Sequence, residues 1–151
     1  MRAINHALTG AVIGLVVGEP LIAVPVAFVS HFICDIIPHH DFDVEEVEKL
    51  RSGTFKKVLY GDTTLCVVLV VVLAVLQPEN WQLAAICALV AAAPDFASFG
   101  KFRSANGHKP LESNAYTRFA GRIQWFERPI GGIVEVAWFV AAIFLLLPFL
   151  G

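Results

Sequence analysis

The chain has 151 residues, of which 57% are hydrophobic and 16% charged, and its formal net charge is −2. Soluble domains are about half apolar and about a quarter charged, so this composition excludes an ordinary water-soluble domain and favours a bilayer as the environment. The length predicts one domain, residues 1–151. The chain carries no nucleic-acid-binding motif, so we expect no nucleic-acid partner.

Apolar stretches in chain order predict five helices, at residues 4–18, 20–37, 55–77, 81–93 and 129–149. Strands are excluded because an open strand leaves its backbone groups unsatisfied in lipid. A span needs about 20 residues, so the first and fourth segments are short and imply a locally thinned membrane or a polar recess. The predicted fold class is all-α: an integral-membrane bundle of about five transmembrane helices with one amphipathic interfacial segment.

The basic residues are segregated along the chain. All eleven Lys and Arg lie before the first segment, between the second and third or in the first turn of the third, or between the fourth and fifth. With five alternating spans, these three regions share one side of the membrane. The positive-inside rule makes that side cytoplasmic, which predicts an inner-membrane protein with a cytoplasmic amino terminus and an external carboxyl terminus.

Polar residues are predicted to converge at the cytoplasmic ends of four helices. His31 and Asp35 are four residues apart near the end of the second segment, so they share one helix face. The full set of candidate metal ligands is His6, His31, Asp35, His39, His40, Asp62 and Asp95. Taken singly, His6 could be an interfacial or core histidine, and Asp62, His39 and His40 could be solvated. The shared depth favours a common site.

A metal centre would explain that convergence. Histidine and carboxylate ligands at helical spacing suit zinc, and also manganese or iron. A divalent cation would offset the cost of carboxylates at membrane depth, which is a few kcal/mol each. The candidate ligands outnumber those of a single catalytic zinc, so we expect one to three ions. Two ions about 3.5–4 Å apart would clamp a phosphoester and activate water.

The segment HFICDIIPHH, residues 31–40, resembles the HxxxDxxxPxH ligand segment of zinc-dependent phospholipase C and the related zinc nucleases. That group is all-helical and uses a multinuclear zinc centre on phosphodiesters. Pro38 comes one residue early here, so the implied third ligand is His39 or His40.

The chain as a whole looks like the small bacterial inner-membrane metal-dependent hydrolases of the YdjM type. The matching elements are His6 in NHALTG, His31 and Asp35 in SHFICD, and Asp95 in APDF. The family's HRGxTHS stretch is absent from this sequence, and the PD motif follows the SHxxxD segment instead of preceding it. The resemblance implies a metal-dependent hydrolase.

The polar loop at residues 100–128 contains an amphipathic interfacial segment that begins near Tyr116. Arg118 and Arg122 lie four residues apart in it. They either form an ordinary basic surface or bind the phosphate of a lipid headgroup. Glu135, a carboxylate inside the fifth segment, is a candidate outer-shell partner of a metal-bound histidine.

Two functions follow from these residues. The first is a membrane-bound hydrolase that cleaves a phosphoester of a phospholipid or lipid-linked substrate, with a metal-bound water as nucleophile and Asp62 or Asp95 as base. The second is a non-enzymatic metal-binding scaffold or a metal-ion carrier. A carrier needs polar groups through the whole bilayer, whereas the outer halves of the predicted helices are almost purely apolar. That asymmetry favours the hydrolase.

Overall fold

The protein is described here from a computed structural model. It covers residues 1–40, 51–97 and 130–151, together with Ala115, Arg118, Phe119 and Arg122. The described residues form five α-helices: α1 (Ala3–Val17), α2 (Pro20–Ile36), α3 (Gly53–Leu76), α4 (Trp81–Ala97) and α5 (Gly131–Leu150). The prediction of an all-α fold is confirmed. Most of the polar loop predicted at 100–128 lies outside the described residues.

The predicted helix boundaries agree with the structure to within two residues, except at the end of α4. That helix was expected to stop at Ala93 because proline follows, but it continues through Pro94 to Ala97. Proline removes a single backbone donor, and a helix in an apolar setting continues past it when the freed carbonyl is accommodated by its surroundings. The continuation keeps Asp95 on a helix rather than in a loop.

Helix α1 is the centre of the bundle and contacts each of the other four helices. Its contact with α4 is especially close, because a Cβ on Gly10 would overlap the backbone of Cys87. Small residues let two helix backbones approach in this way. The close approach brings the beginning of α1 near the end of α4, and those two ends carry His6 and Asp95.

Large apolar side chains are exposed on the outside of the bundle. They follow the outer faces of α3 and α5, among them Val67, Val71, Ile133, Val136 and Phe144. The interior is mostly apolar, but it also encloses polar and ionisable side chains: Asn5, His6, Ser30, His31, Asp35, His39, Asp62 and Glu135. Extended apolar surface of this kind marks contact with lipid or with another protein.

Two helices of the described chain, α3 and α5, are long and apolar enough to cross a membrane. Only 22% and 17% of their most apolar stretches are buried within the protein, whereas a core helix of a soluble protein is mostly buried. The other three helices are apolar but have 15, 17 and 17 residues. They measure about 23–26 Å, slightly less than a hydrocarbon core of about 30 Å. Two of the five predicted spans therefore have full membrane length.

Candidate metal centre

Helix α2 supplies the first pair of the site. His31 and Asp35 lie one turn apart in its last turns and are both buried. Nε2 of His31 is 3.3 Å from Oδ2 of Asp35. The helix ends at Ile36, two residues before Pro38, because the residue preceding a proline is disfavoured in helical conformation. The sequence spacing of four therefore becomes a direct contact.

Helix α1 brings His6 to the same carboxylate. Nε2 of His6 is 3.1 Å from Oδ1 of Asp35, so the two carboxylate oxygens face two different imidazoles. The rings of His6 and His31 are 4.0 Å apart between centroids. Nδ1 of His6 is buried and has no hydrogen-bond partner among the described residues. Nε2, the nitrogen that faces Asp35 and Asp95, is also buried and makes no hydrogen bond in the described part of the chain, which a bound cation could relieve.

Helix α4 completes the site with Asp95. Its carboxylate oxygens lie 3.9 Å from Nε2 of His6 and 4.0 Å from Nε2 of His31. His6, His31 and Asp95 each offer a ligand atom within 4.8 Å of the others, so this group could hold a metal ion. The Asp95 side chain is 26% exposed, whereas both histidines are buried. Solvent or a substrate can therefore reach the site from the side on which Asp95 lies.

The hydrogen bond of His31 to α4 determines which of its ring nitrogens carries the hydrogen. Nδ1 of His31 lies 2.8 Å from the carbonyl oxygen of Ala91, and a carbonyl can only accept, so Nδ1 carries the hydrogen. In a neutral ring Nε2 then presents only a lone pair, which faces oxygens of Asp35 and Asp95. A lone pair beside two carboxylates is repulsive. A second proton on His31 or a bound cation removes that repulsion.

The amino group of Met1 adds positive charge on the other side of the site. It lies 2.7 Å from Oδ1 of Asp35, and both groups are buried. Asp35 is therefore surrounded by this ammonium group, His6 and His31, while Asp95 faces the same two histidines from α4.

The other three predicted ligands are Asp62, His39 and His40. Oδ2 of Asp62 accepts a hydrogen bond from the backbone N–H of Ala3 and pairs with Arg2, at the beginning of α1. His39 is fully buried, with Nδ1 donating to the carbonyl oxygen of Ile37 at 2.8 Å, while His40 is exposed. The structure thus brings together His6, His31, Asp35 and Asp95. For Asp62 and His39 it shows hydrogen bonds with backbone groups, and the assignment of Asp62, His39 and His40 as ligands stays a prediction.

Phe119, one of the described residues before α5, contacts the neighbourhood of the site through its aromatic ring. Arg118, Phe119 and Arg122 are helical and exposed. The ring of Phe119 packs against Phe32 at 5.6 Å between centroids, and Phe32 packs against His31 at 5.1 Å. Phe119, which lies between the two predicted substrate-binding arginines in sequence, therefore packs against the neighbour of a candidate ligand.

Several polar contacts that support the site were not predicted from the sequence. Asn5 donates from Nδ2 to the backbone oxygen of Glu135, and Trp138 donates from Nε1 to Thr9. Both bonds join α1 to α5. Asn5 stands next to His6, and a polar residue at that position of an apolar helix is a signal that could have been used. The Ala91 carbonyl that orients His31 has no side-chain signal in the sequence.

Comparisons of this chain with protein-family models, with curated proteins and with solved structures find no significant match. The geometry of the site is therefore the basis for a functional proposal.

Proposed function

We propose that this chain is an integral-membrane, metal-dependent hydrolase that cleaves a phosphoester of a phospholipid or lipid-linked substrate at the cytoplasmic face. The observation that carries the proposal is the convergence of Nε2 of His6, Nε2 of His31 and the carboxylate of Asp95 from three helices. A cation at that point would accept the lone pair of His31 and the carboxylate of Asp95 that faces it.

The donor set favours zinc. Two imidazoles and a carboxylate are a common protein ligand set of catalytic zinc, which leaves a fourth position for water or substrate. Manganese or iron would accept the same donors. The hydrogen bond from His31 to the Ala91 carbonyl is the kind of contact that orients a metal-bound histidine and selects its ligating nitrogen.

Asp95 is the residue we assign to proton transfer or metal ligation at the open side of the site. It is the most exposed of the four converging side chains, and it stays within 4.0 Å of both histidines. A zinc ion would supply an activated water with a pKa of about 7. Asp35, enclosed by the Met1 amine and both histidines, would hold the imidazoles in place.

Arg118 and Arg122 are the proposed contacts for the substrate phosphate. Guanidinium groups bind phosphate in a bidentate manner and keep their charge at all physiological pH values. Support comes from Phe119, which lies between them in sequence and is anchored on Phe32, the neighbour of His31. An anionic headgroup held there would sit at the side of the bundle that carries the candidate metal centre.

The proposed membrane arrangement has five spans, with the amino terminus inside and the carboxyl terminus outside. Its support is the segregation of all eleven basic residues and the apolar outer faces of α3 and α5. A reporter fused after Gly151 should behave as external, and one fused before Met1 as cytoplasmic. A cytoplasmic signal from both fusions would exclude an odd number of spans.

A metal-stabilised scaffold is the second candidate. One observation favours it: the contacts of Asp35 and Asp95 join the ends of α1, α2 and α4, so an ion there would also hold these helices together. A carrier is less favoured, because the buried ionisable side chains of the described residues gather at one end of the bundle.

The decisive experiment compares purified wild-type protein with Asp95→Asn, and with Glu79→Gln as a control at the exposed turn between α3 and α4. Metal content would be measured by mass spectrometry, and turnover on phosphodiester and phosphomonoester lipids in nanodiscs. The hydrolase proposal expects bound metal and turnover in the wild type and in the control, and loss of turnover in Asp95→Asn. If the fully metallated wild type cleaves none of these lipids, the metal-stabilised scaffold is the remaining candidate function.

A further inference from the structure

Asp62 contacts the backbone of a different helix. It is buried in the first half of α3, and its Oδ2 accepts a hydrogen bond from the N–H of Ala3 at 3.0 Å. Ala3 is the first residue of α1, and the first four amides of a helix have no partner within it. Arg2, which precedes the helix, makes no capping bond with its own side chain. The cap of α1 therefore comes from α3.

The capped turn is the one that carries His6. The carbonyl oxygen of Arg2 accepts hydrogen bonds from the N–H groups of Asn5 at 2.9 Å and of His6 at 3.3 Å. Nε of Arg2 lies 3.3 Å from the same Oδ2 that binds Ala3. Asp62 thus contacts both Arg2 and Ala3, and these residues lie one hydrogen-bonded turn before His6, a candidate ligand. A carboxylate at this point is also favoured by the helix dipole.

We propose that Asp62 is a positioning residue of the metal centre: it caps α1 from α3 and so sets the depth at which His6 meets His31 and Asp95. The assignment rests on the metal centre proposed above and gives Asp62 a role other than ligand or base. Its essential property is an oxygen acceptor facing Ala3, and the negative charge is secondary. Asparagine keeps that acceptor and is a favoured capping residue. Alanine removes the acceptor and is a poor one.

The test uses purified full-length protein loaded with cobalt(II), whose visible spectrum reports ligand number and type. The variants are Asp62→Asn, Asp62→Ala and Arg2→Gln, the last removing the ion pair while leaving the cap. Deuterium uptake of residues 1–10 is measured in parallel without metal. We expect Asp62→Asn and Arg2→Gln to keep the wild-type bands and affinity. Asp62→Ala should keep the bands but bind cobalt more weakly and exchange faster, each by about 2- to 30-fold, which is the range for a lost cap.

The proposal is overturned if Asp62→Asn changes the cobalt bands or loses as much affinity as Asp62→Ala, because Asp62 would then be a ligand. It is equally overturned if Arg2→Gln matches Asp62→Ala, or if Asp62→Ala leaves deuterium uptake unchanged. A wild type that takes up no cobalt would refute the metal centre itself. The exchange measurements, which need no metal, would in that case still decide whether Asp62 caps α1.

Discussion

Nδ1 of His31 lies 2.8 Å from the carbonyl oxygen of Ala91, so the bond between α2 and α4 determines which ring nitrogen faces the candidate metal centre. Replacing His31 by Gln removes that nitrogen. Loss of an outer-shell partner alone costs about 10- to 100-fold in metal affinity, so we expect at least about a 100-fold loss for this direct ligand. Titration with zinc, followed by a competing chelator, measures the change. Ser30→Ala, one position away, is the control and should bind normally; equal affinity in all three proteins would exclude His31 as a ligand.

Asp35 is the most enclosed charge of the site, and we expect Asp35→Asn to affect stability as well as turnover. It leaves the Met1 amine and two histidines without their common carboxylate. Breaking a buried ion pair costs about 3–5 kcal/mol, so the free energy of unfolding should fall by about that much. Phosphoester turnover should drop by orders of magnitude, because correct metal placement is required for water activation. A variant with unchanged stability and turnover would contradict this account.

His39 and His40 are adjacent in sequence but differ in the structure, which separates the two candidates for a third histidine ligand. His39 is fully buried, and a Cβ on Gly131 would overlap its backbone, whereas His40 is exposed. We expect His39→Gln to lower the free energy of unfolding by about 1–3 kcal/mol, as for a disturbed buried hydrogen bond. His40→Gln should stay within about 0.5 kcal/mol. Thermal unfolding and metal content measure both; metal loss in His40→Gln alone would assign the ligand to His40.

The close contact of α1 with α4 gives a matched pair of glycine substitutions. Gly10→Ala places a methyl group against the backbone of Cys87, while Gly61→Ala on α3 points into open space. Overpacking costs about 1–3 kcal/mol, and alanine in an open helix position gains up to about 1 kcal/mol over glycine. The melting temperature should therefore fall for Gly10→Ala and rise slightly for Gly61→Ala. Two equal shifts would mean that the helices are not in close contact at Gly10.

Arg122 offers a test of the substrate side that leaves the metal untouched. A guanidinium cannot bind a cation, so Arg122→Gln should retain full metal content. Loss of a charge-assisted hydrogen bond to phosphate is worth roughly 10- to 100-fold in binding, which predicts a raised KM for an anionic lipid with kcat little changed. Arg51→Gln, an exposed arginine before α3, is the control. An unchanged KM in Arg122→Gln would mean that this arginine does not bind the substrate and only contributes to the basic surface that sets the membrane orientation.

The sequence predicted those parts of the site that depend on short-range spacing. The contact of His31 with Asp35 follows from a separation of four on one helix, and the shared end of the bundle follows from where each polar residue falls in its apolar segment. The charge pattern and the apolar runs were likewise sufficient to predict an all-helical chain. These features depend on residues that are close in sequence, so they can be predicted without knowing how the helices pack.

The rest depends on how each helix is rotated about its own axis. Asp62 was predicted as a metal ligand from its place in α3, whereas its hydrogen bond from the backbone N–H of Ala3 was not foreseen. The carbonyl of Ala91 became a partner of His31 only through the packing of α2 on α4. Backbone groups carry no residue-specific signal, and neither rotation nor the path of α4 beyond Pro94 can be obtained from periodicity alone.

The central position of α1 has a consequence for the order in which the protein is assembled. The first helix to be synthesised is the one that touches all the others, and its polar side chains find their partners late: Asn5 bonds to Glu135 and Thr9 to Trp138, both on the last helix. Until α5 packs against α1, the Asn5 amide lacks this acceptor, whereas the Thr9 hydroxyl already donates to the Asn5 carbonyl within α1. Contacts between such distant residues form slowly, because the long intervening loop must close first. The candidate ligands themselves lie on α1, α2 and α4, so they can meet first, and the two bonds from α5 then fix α1 in the finished bundle.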